Sequence, residues 1–206
     1  ASYTAVACAF ESWRPLILAT PGYSTVQTLV WLRNVGESLS PDWVVIANLW
    51  SDQSVVGFQD RDLVRSYQQY RTHWRWKAEF LLRKSRLIQK ISEGLAGDPK
   101  QSARDIAWQN NWATSSEGDP RVPLNEYAEN LSALVVLSES IGAKVAFVAL
   151  AKKSELNGEI DSRAQAYREI MIQTAEIAHA PIIDAETHWR ASGVSVDELF
   201  LDFLHP

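Results

Sequence analysis

The sequence predicts an α/β fold built on a mainly parallel sheet, and three observations carry that prediction. First, Leu16-Ile17-Leu18-Ala19, Trp43-Val44-Val45-Ile46-Ala47 and Lys144-Val145-Ala146-Phe147-Val148-Ala149-Leu150 are short, nearly unbroken apolar runs. Runs that do not alternate with polar residues suit strands covered on both faces, as in parallel sheets. Second, the segments between them place apolar residues at helical spacing. Third, helices and strands take turns along the chain, which is the order of an α/β fold with crossover connections.

In chain order, residues 1–13 read as a loop leading into a helix. Leu16 to Ala19 is a short buried strand stopped by Pro21-Gly22. Ser24 or Thr25 caps a helix that runs through Val26, Leu29, Val30, Leu32 and Arg33. Pro41-Asp42 ends the connection to the strand at Trp43 to Ala47. Residues 53–120 differ in character: Arg61 to Lys90 is rich in cations and aromatics and looks helical up to Gly94, and Gly97-Asp98-Pro99 breaks it. This region reads as an insertion or cap over one edge of a single domain spanning residues 1–206. Helical spacing returns with Leu124, Tyr127, Leu131, Leu134, Val135 and Ile141, and Gly142 stops that helix. The strand at Lys144 to Leu150 is followed by a helix marked by Ala164, Tyr167, Ile170, Met171, Ala175 and Ala178. Pro181-Ile182-Ile183-Asp184 is a last short strand, and a helix near Glu186 to Ala191 leads to the final residues.

The 206 residues suffice for one domain with a sizeable core. At 46% hydrophobic and 22% charged, the composition is that of an ordinary globular protein, and the formal net charge of −5 argues against a general nucleic-acid binder. One cysteine, Cys8, excludes an intramolecular disulfide framework and a cysteine-rich zinc site. His73, His179 and His188 lack partners at metal-ligand spacing, so a metal site is not expected. Cys8 itself reads as a buried or semi-buried thiol. There is no signal-peptide pattern and no apolar run long enough to span a membrane, and the compartment stays open.

The last residues hold the most chemistry. In Asp202-Phe203-Leu204-His205-Pro206 a carboxylate sits three residues before an imidazole. One turn can aim Asp202 at one ring nitrogen of His205 and leave the other free to act as a base. On its own the pair also reads as a surface turn. Three further stretches fall on loops at the carboxyl ends of the predicted strands or at the start of the chain, where α/β proteins gather reactive groups: Ala1-Ser2-Tyr3-Thr4, Pro21-Gly22-Tyr23-Ser24, and Asn48-Leu49-Trp50-Ser51-Asp52.

Together, and in this order, the four stretches resemble the ordered blocks of the SGNH (GDSL-type) hydrolases. Ala1-Ser2-Tyr3-Thr4 is similar to the end of the Gly-Asp-Ser-x-Thr block, Pro21-Gly22-Tyr23-Ser24 with Gln27 to the glycine block, Trp50-Ser51-Asp52 to Gly-x-Asn-Asp, and Asp202-x-x-His205-Pro206 to the last block. Arg121-Val122-Pro123-Leu124-x-x-Tyr127 and Asp197 to Asp202 resemble the family's linking segments. The resemblance implies a three-layer α/β/α sandwich with a flavodoxin-like sheet, and a serine esterase that needs no cofactor. Ser2 would be the nucleophile, His205 its base, and Asp202 the group that holds the tautomer of His205. The N–H groups of Ser2 and Gly22 would face the oxyanion, with Ser51 in the third donor position.

Three departures from the family pattern matter: Ala1, Ser51 and the spacing of the chain around Ser2. Ala1 replaces an aspartate, and Ser51 replaces an asparagine whose amide donates to the oxyanion. A lost donor typically costs about 10²–10³ in rate, and Asn48 and Gln53 are candidate substitutes. The Ser51 departure also motivates an alternative, a non-catalytic binding module for acyl or carbohydrate ligands. The interval from Ser2 to Gly22 is short for the helix the family has there, so the chain is expected to be a fragment or to lack internal segments. Asp52 reads either as part of this block or as a cap on the segment after it. The expected partner is a small-molecule, lipid or glycan ester. The Arg71-Thr72-His73-Trp74-Arg75-Trp76-Lys77 run reads as an amphipathic cap, with transient contact to a membrane surface and nucleic-acid binding as the other readings.

Overall fold

The computed structural model describes residues 14, 16, 22–55, 58–65 and 118–199. Helix α1, Thr25–Leu39, begins at Ser24, whose own N–H donates to the side-chain oxygen of Gln27 at 2.7 Å. This is the backward half of a capping box, and it fixes where the helix starts. Strand β1, Trp43–Ile46, follows, then a single-turn helix α2, Trp50–Gln53. Residues 60–65 are also helical. Helix α3, Leu124–Ser140, packs on α1 and ends at Gly142, whose φ of +82° lets the chain reverse without strain. Strand β2, Lys144–Ala149, leads through the short α4, Lys153–Leu156, to α5, Ser162–Ile177, and then to β3, Ile182–Asp184. Helix α6, Ala185–Ser192, and the short α7, Val196–Leu199, close the described region.

The three strands form one parallel sheet in the order β1-β2-β3. Parallel neighbours need a crossover, and α3 and α5 supply the two connections. Val44 lies beside Val145, Ile46 beside Phe147, and Phe147 beside Ile182. These residues, with Ala149, face the helices and join a core that includes Leu29, Leu32, Leu131, Leu134, Tyr167 and Met171. The architecture is therefore α/β with a parallel sheet, as expected, and it is consistent with a three-layer α/β/α arrangement.

Two expectations need correction. The strand runs are not buried on both faces: Val45 and Ile183 are each 58% exposed and Trp43 is 42% exposed. Side chains alternate across a strand, and in β1 only the set facing the helices is well covered. Leu16, expected in a buried strand, is 62% exposed and lies in no regular element, while residues 17–21 lie outside the described residues. Most of the 53–120 insertion also lies outside them.

Candidate functional site

The carboxyl end of β1 opens into Asn48, Leu49 and the α2 turn, and this turn meets the loop ahead of α1. Thr25, the first residue of α1, donates its N–H to Asp52 Oδ1 at 2.9 Å and its hydroxyl to the same oxygen at 2.5 Å. Asn48 Nδ2 donates to the Tyr23 carbonyl at 3.2 Å and to Thr28 Oγ1 at 3.0 Å. Tyr127, fully buried on α3, donates its hydroxyl to the Asn48 carbonyl at 2.6 Å. Asn130, one turn further along α3, donates to Thr25 Oγ1 at 3.0 Å. The glycine turn and the α2 turn are thus tied to each other and to α3, although 27 residues separate Thr25 from Asp52.

Arg121 adds a third tie. It is 4% exposed. Its Nε and Nη2 donate to the two oxygens of the buried Asp60 at 3.1 and 2.8 Å, and its Nη1 donates to the Gly22 carbonyl at 2.8 Å. Gly22 has φ of +80°, a conformation open to glycine at no steric cost. The Gly22 N–H has no partner among the described residues.

Burial shapes the electrostatics. Asp52 has no exposed surface, and desolvation pushes its pKa up to about 7 against the opposing hydrogen bonds from Thr25. Among the described residues its second oxygen, Oδ2, has no hydrogen-bond partner, and neither do the carboxamide of Gln53 or the indole nitrogen of Trp50. Burial, and next the nearby Asp52, push the Tyr127 hydroxyl well above its usual range, so it stays a hydrogen-bond donor. Tyr167 is shifted upward by the same two causes, and its hydroxyl donates to the Val122 carbonyl.

Of the residues singled out from sequence, Gly22 and Ser51 fall in the described region, on the two turns that Asp52 and Asn48 tie together. Ser2, Asp202 and His205 lie outside the described residues, as do Cys8 and the Arg71 to Lys77 run. Asn48 Nδ2 is committed to Tyr23 and Thr28, while Gln53 is 4% exposed and its carboxamide has no partner among the described residues. Among the described residues the Asp52 side chain bonds back to Thr25 and not to the segment after it. Sequence reasoning missed the roles of Arg121 and Asp60. The available signal was a cation directly ahead of the apolar Val122-Pro123-Leu124, where a solvated charge would be out of place. Among the described residues no cluster of three or more His, Cys, Asp or Glu is placed to hold a metal, and no helix is long and apolar enough to cross a membrane.

No protein-family model and no curated protein matches the chain. Among solved structures it is similar to LAE5, an alpha/beta hydrolase enzyme from the metagenome of Lake Arreo, Spain. That likeness has a TM-score of 0.49 and 16% identity, over 90% of this chain and 61% of that one. It is also similar to the lipase/acylhydrolase from Enterococcus faecalis, with a TM-score of 0.48 and 15% identity over 89% of this chain and 62% of that one. The chain thus spans about three fifths of the length of these two structures.

Proposed function

We propose that the protein is a serine hydrolase of the SGNH type that cleaves carboxylic esters. Ser2 Oγ would attack the ester carbonyl while His205 takes its proton, and Asp202 would stabilise the resulting imidazolium. The alcohol would leave with that proton, and water would then release the acid from the acyl-enzyme by the same base. The N–H groups of Ser2 and Gly22 would hold the developing oxyanion.

The observation that carries this reading is the tying of the Gly22 turn to the Ser51 turn through Thr25–Asp52 and Asn48–Tyr23. Two of the four sequence blocks, far apart in the chain, come together at the carboxyl end of a parallel strand. That is where an α/β sheet places its reactive groups. Preorganised donors are useful only when held rigidly, and these turns are pinned by buried bonds.

The reading predicts that Ser2→Ala and His205→Ala each abolish hydrolysis of a p-nitrophenyl ester. An unchanged rate in either folded variant removes the assignment. A second reading, a binding module on the same fold, is favoured by Ser51 in place of a longer amide donor. Asn48 deepens that deficit, because its amide is already spent on Tyr23 and Thr28. Fluorophosphonate labelling separates the two: stoichiometric modification of Ser2 supports the hydrolase, and no labelling of folded protein supports the binding module.

A further inference from the structure

We propose that Arg121 is a positioning residue that holds the Gly22–Tyr23 peptide by clamping the Gly22 carbonyl, and so anchors the turn that carries the Gly22 N–H. The inference rests on reading Gly22 as an oxyanion donor, and it adds a residue to which no reaction role is otherwise given.

A residue without Cβ at φ of +80° has little intrinsic torsional restraint, so the course of the turn it makes must be imposed by its neighbours. On the far side of the turn the restraints are plain. The Tyr23 carbonyl takes Asn48 Nδ2, the Ser24 N–H is held by Gln27 Oε1, and the Thr25 N–H is held by Asp52. On Gly22 itself the restraint is Arg121 Nη1 at 2.8 Å, reaching across 99 residues of sequence.

Arg121 is built to hold still. Its Nε and Nη2 grip both oxygens of Asp60, whose side chain is fully buried, in the two-point geometry that a planar fork allows. Its backbone is fixed as well: its N–H donates to the Ser54 carbonyl at 2.8 Å, and its carbonyl accepts from the Asp60 N–H at 2.9 Å. Nη2 also approaches Gln27 Oε1 at 3.5 Å, so one guanidinium touches both Gly22 and the residue that caps Ser24. The Arg121–Asp60 pair is complete without Nη1. That third edge is directed at a turn carbonyl, and a pair serving the core alone has no need of it. A lysine presents a single ammonium point and cannot bridge Asp60 and Gly22 in the same plane.

The test compares wild type with Arg121→Lys and Asp60→Asn. Its readouts are kcat and KM on p-nitrophenyl acetate, the unfolding midpoint, and amide hydrogen exchange at residues 22–25. The expected result for Arg121→Lys is a kcat lower by roughly 10- to 100-fold, the cost of a misaimed rather than deleted donor. KM should change little, and exchange at residues 22–25 should accelerate. Partial recovery of kcat by added guanidinium in Arg121→Ala would add support that a purely structural role does not predict. Asp60→Asn keeps the shape of the pair and loosens the fork, so it shows a smaller drop in the same direction and serves if Arg121→Lys does not fold. Faster exchange with unchanged kcat overturns the positioning role, and unchanged exchange overturns the clamp. A folded wild type that neither hydrolyses the ester nor reacts with a fluorophosphonate overturns the esterase reading instead, and the clamp is then decided by exchange alone.

Discussion

The carboxyl group of Asp52 sits beyond the reach of solvent, with Oδ1 accepting two hydrogen bonds from Thr25 and Oδ2 accepting none from the described residues. Arg121 lowers its pKa and Asp60 raises it, but burial dominates, and the group titrates near 7 instead of 3.8. The folded chain therefore keeps a proton that the unfolded chain has lost between those two values. Stability from this group is complete below about pH 4 and declines as pH rises to about 7. The slope is at most ~1.4 kcal/mol per pH unit for one proton. Asp52→Asn keeps an acceptor for Thr25 and removes the charge. Urea midpoints at pH 5 and pH 8 should show a smaller fall for the variant than for wild type. Equal falls would assign the slope to other carboxyls, such as Glu126, whose pKa is also raised by burial.

At the scale of elements, α5 is held to the sheet by one buried cation. Arg168 donates Nη1 to Asp184 Oδ1 and Nη2 to Glu155 Oε2, each at 3.0 Å, and it reaches the carbonyls of Ala149 and Leu150. It thereby joins α5 to α4 and to the carboxyl ends of β2 and β3. Removing one partner of a buried pair leaves the other charge uncompensated, at a typical cost of about 3–5 kcal/mol. Arg168→Met should lower stability by that order in a denaturant melt, and a change below ~1 kcal/mol would show that the cluster is locally redundant. These ties were not legible in the sequence, because Arg168 stands on a helix face where it could equally have met water. The start of α1 was legible: Ser24 and Gln27 lie three apart, and their bond needs no distant partner.

Across the whole molecule, α1, α3 and α5 share one core with the inner face of the sheet. Leu134 has no exposed surface in that core. Leu134→Ala should cost about 2–5 kcal/mol, from lost transfer energy plus the cavity left behind. Because the core is shared, the loss should appear as one cooperative shift by both circular dichroism and tryptophan fluorescence. Separate transitions by the two probes would divide the described region into independent units.

The α/β class, the helix at Ser24, the stop at Gly142 and the strands at Trp43, Lys144 and Ile182 follow from the sequence alone. Periodicity, caps and breakers act between near neighbours, and the chain carries them wherever it goes. The sequence also marked Gly22 and Ser51 as residues of interest through their place in a pattern. Only the tertiary structure decided that β1 covers one face and exposes Val45, that Asp52 serves Thr25, and that Arg121 serves Asp60 and Gly22. A buried charge chooses its partner from whatever the packed chain brings within ~3 Å, and that neighbourhood exists only after distant segments have met.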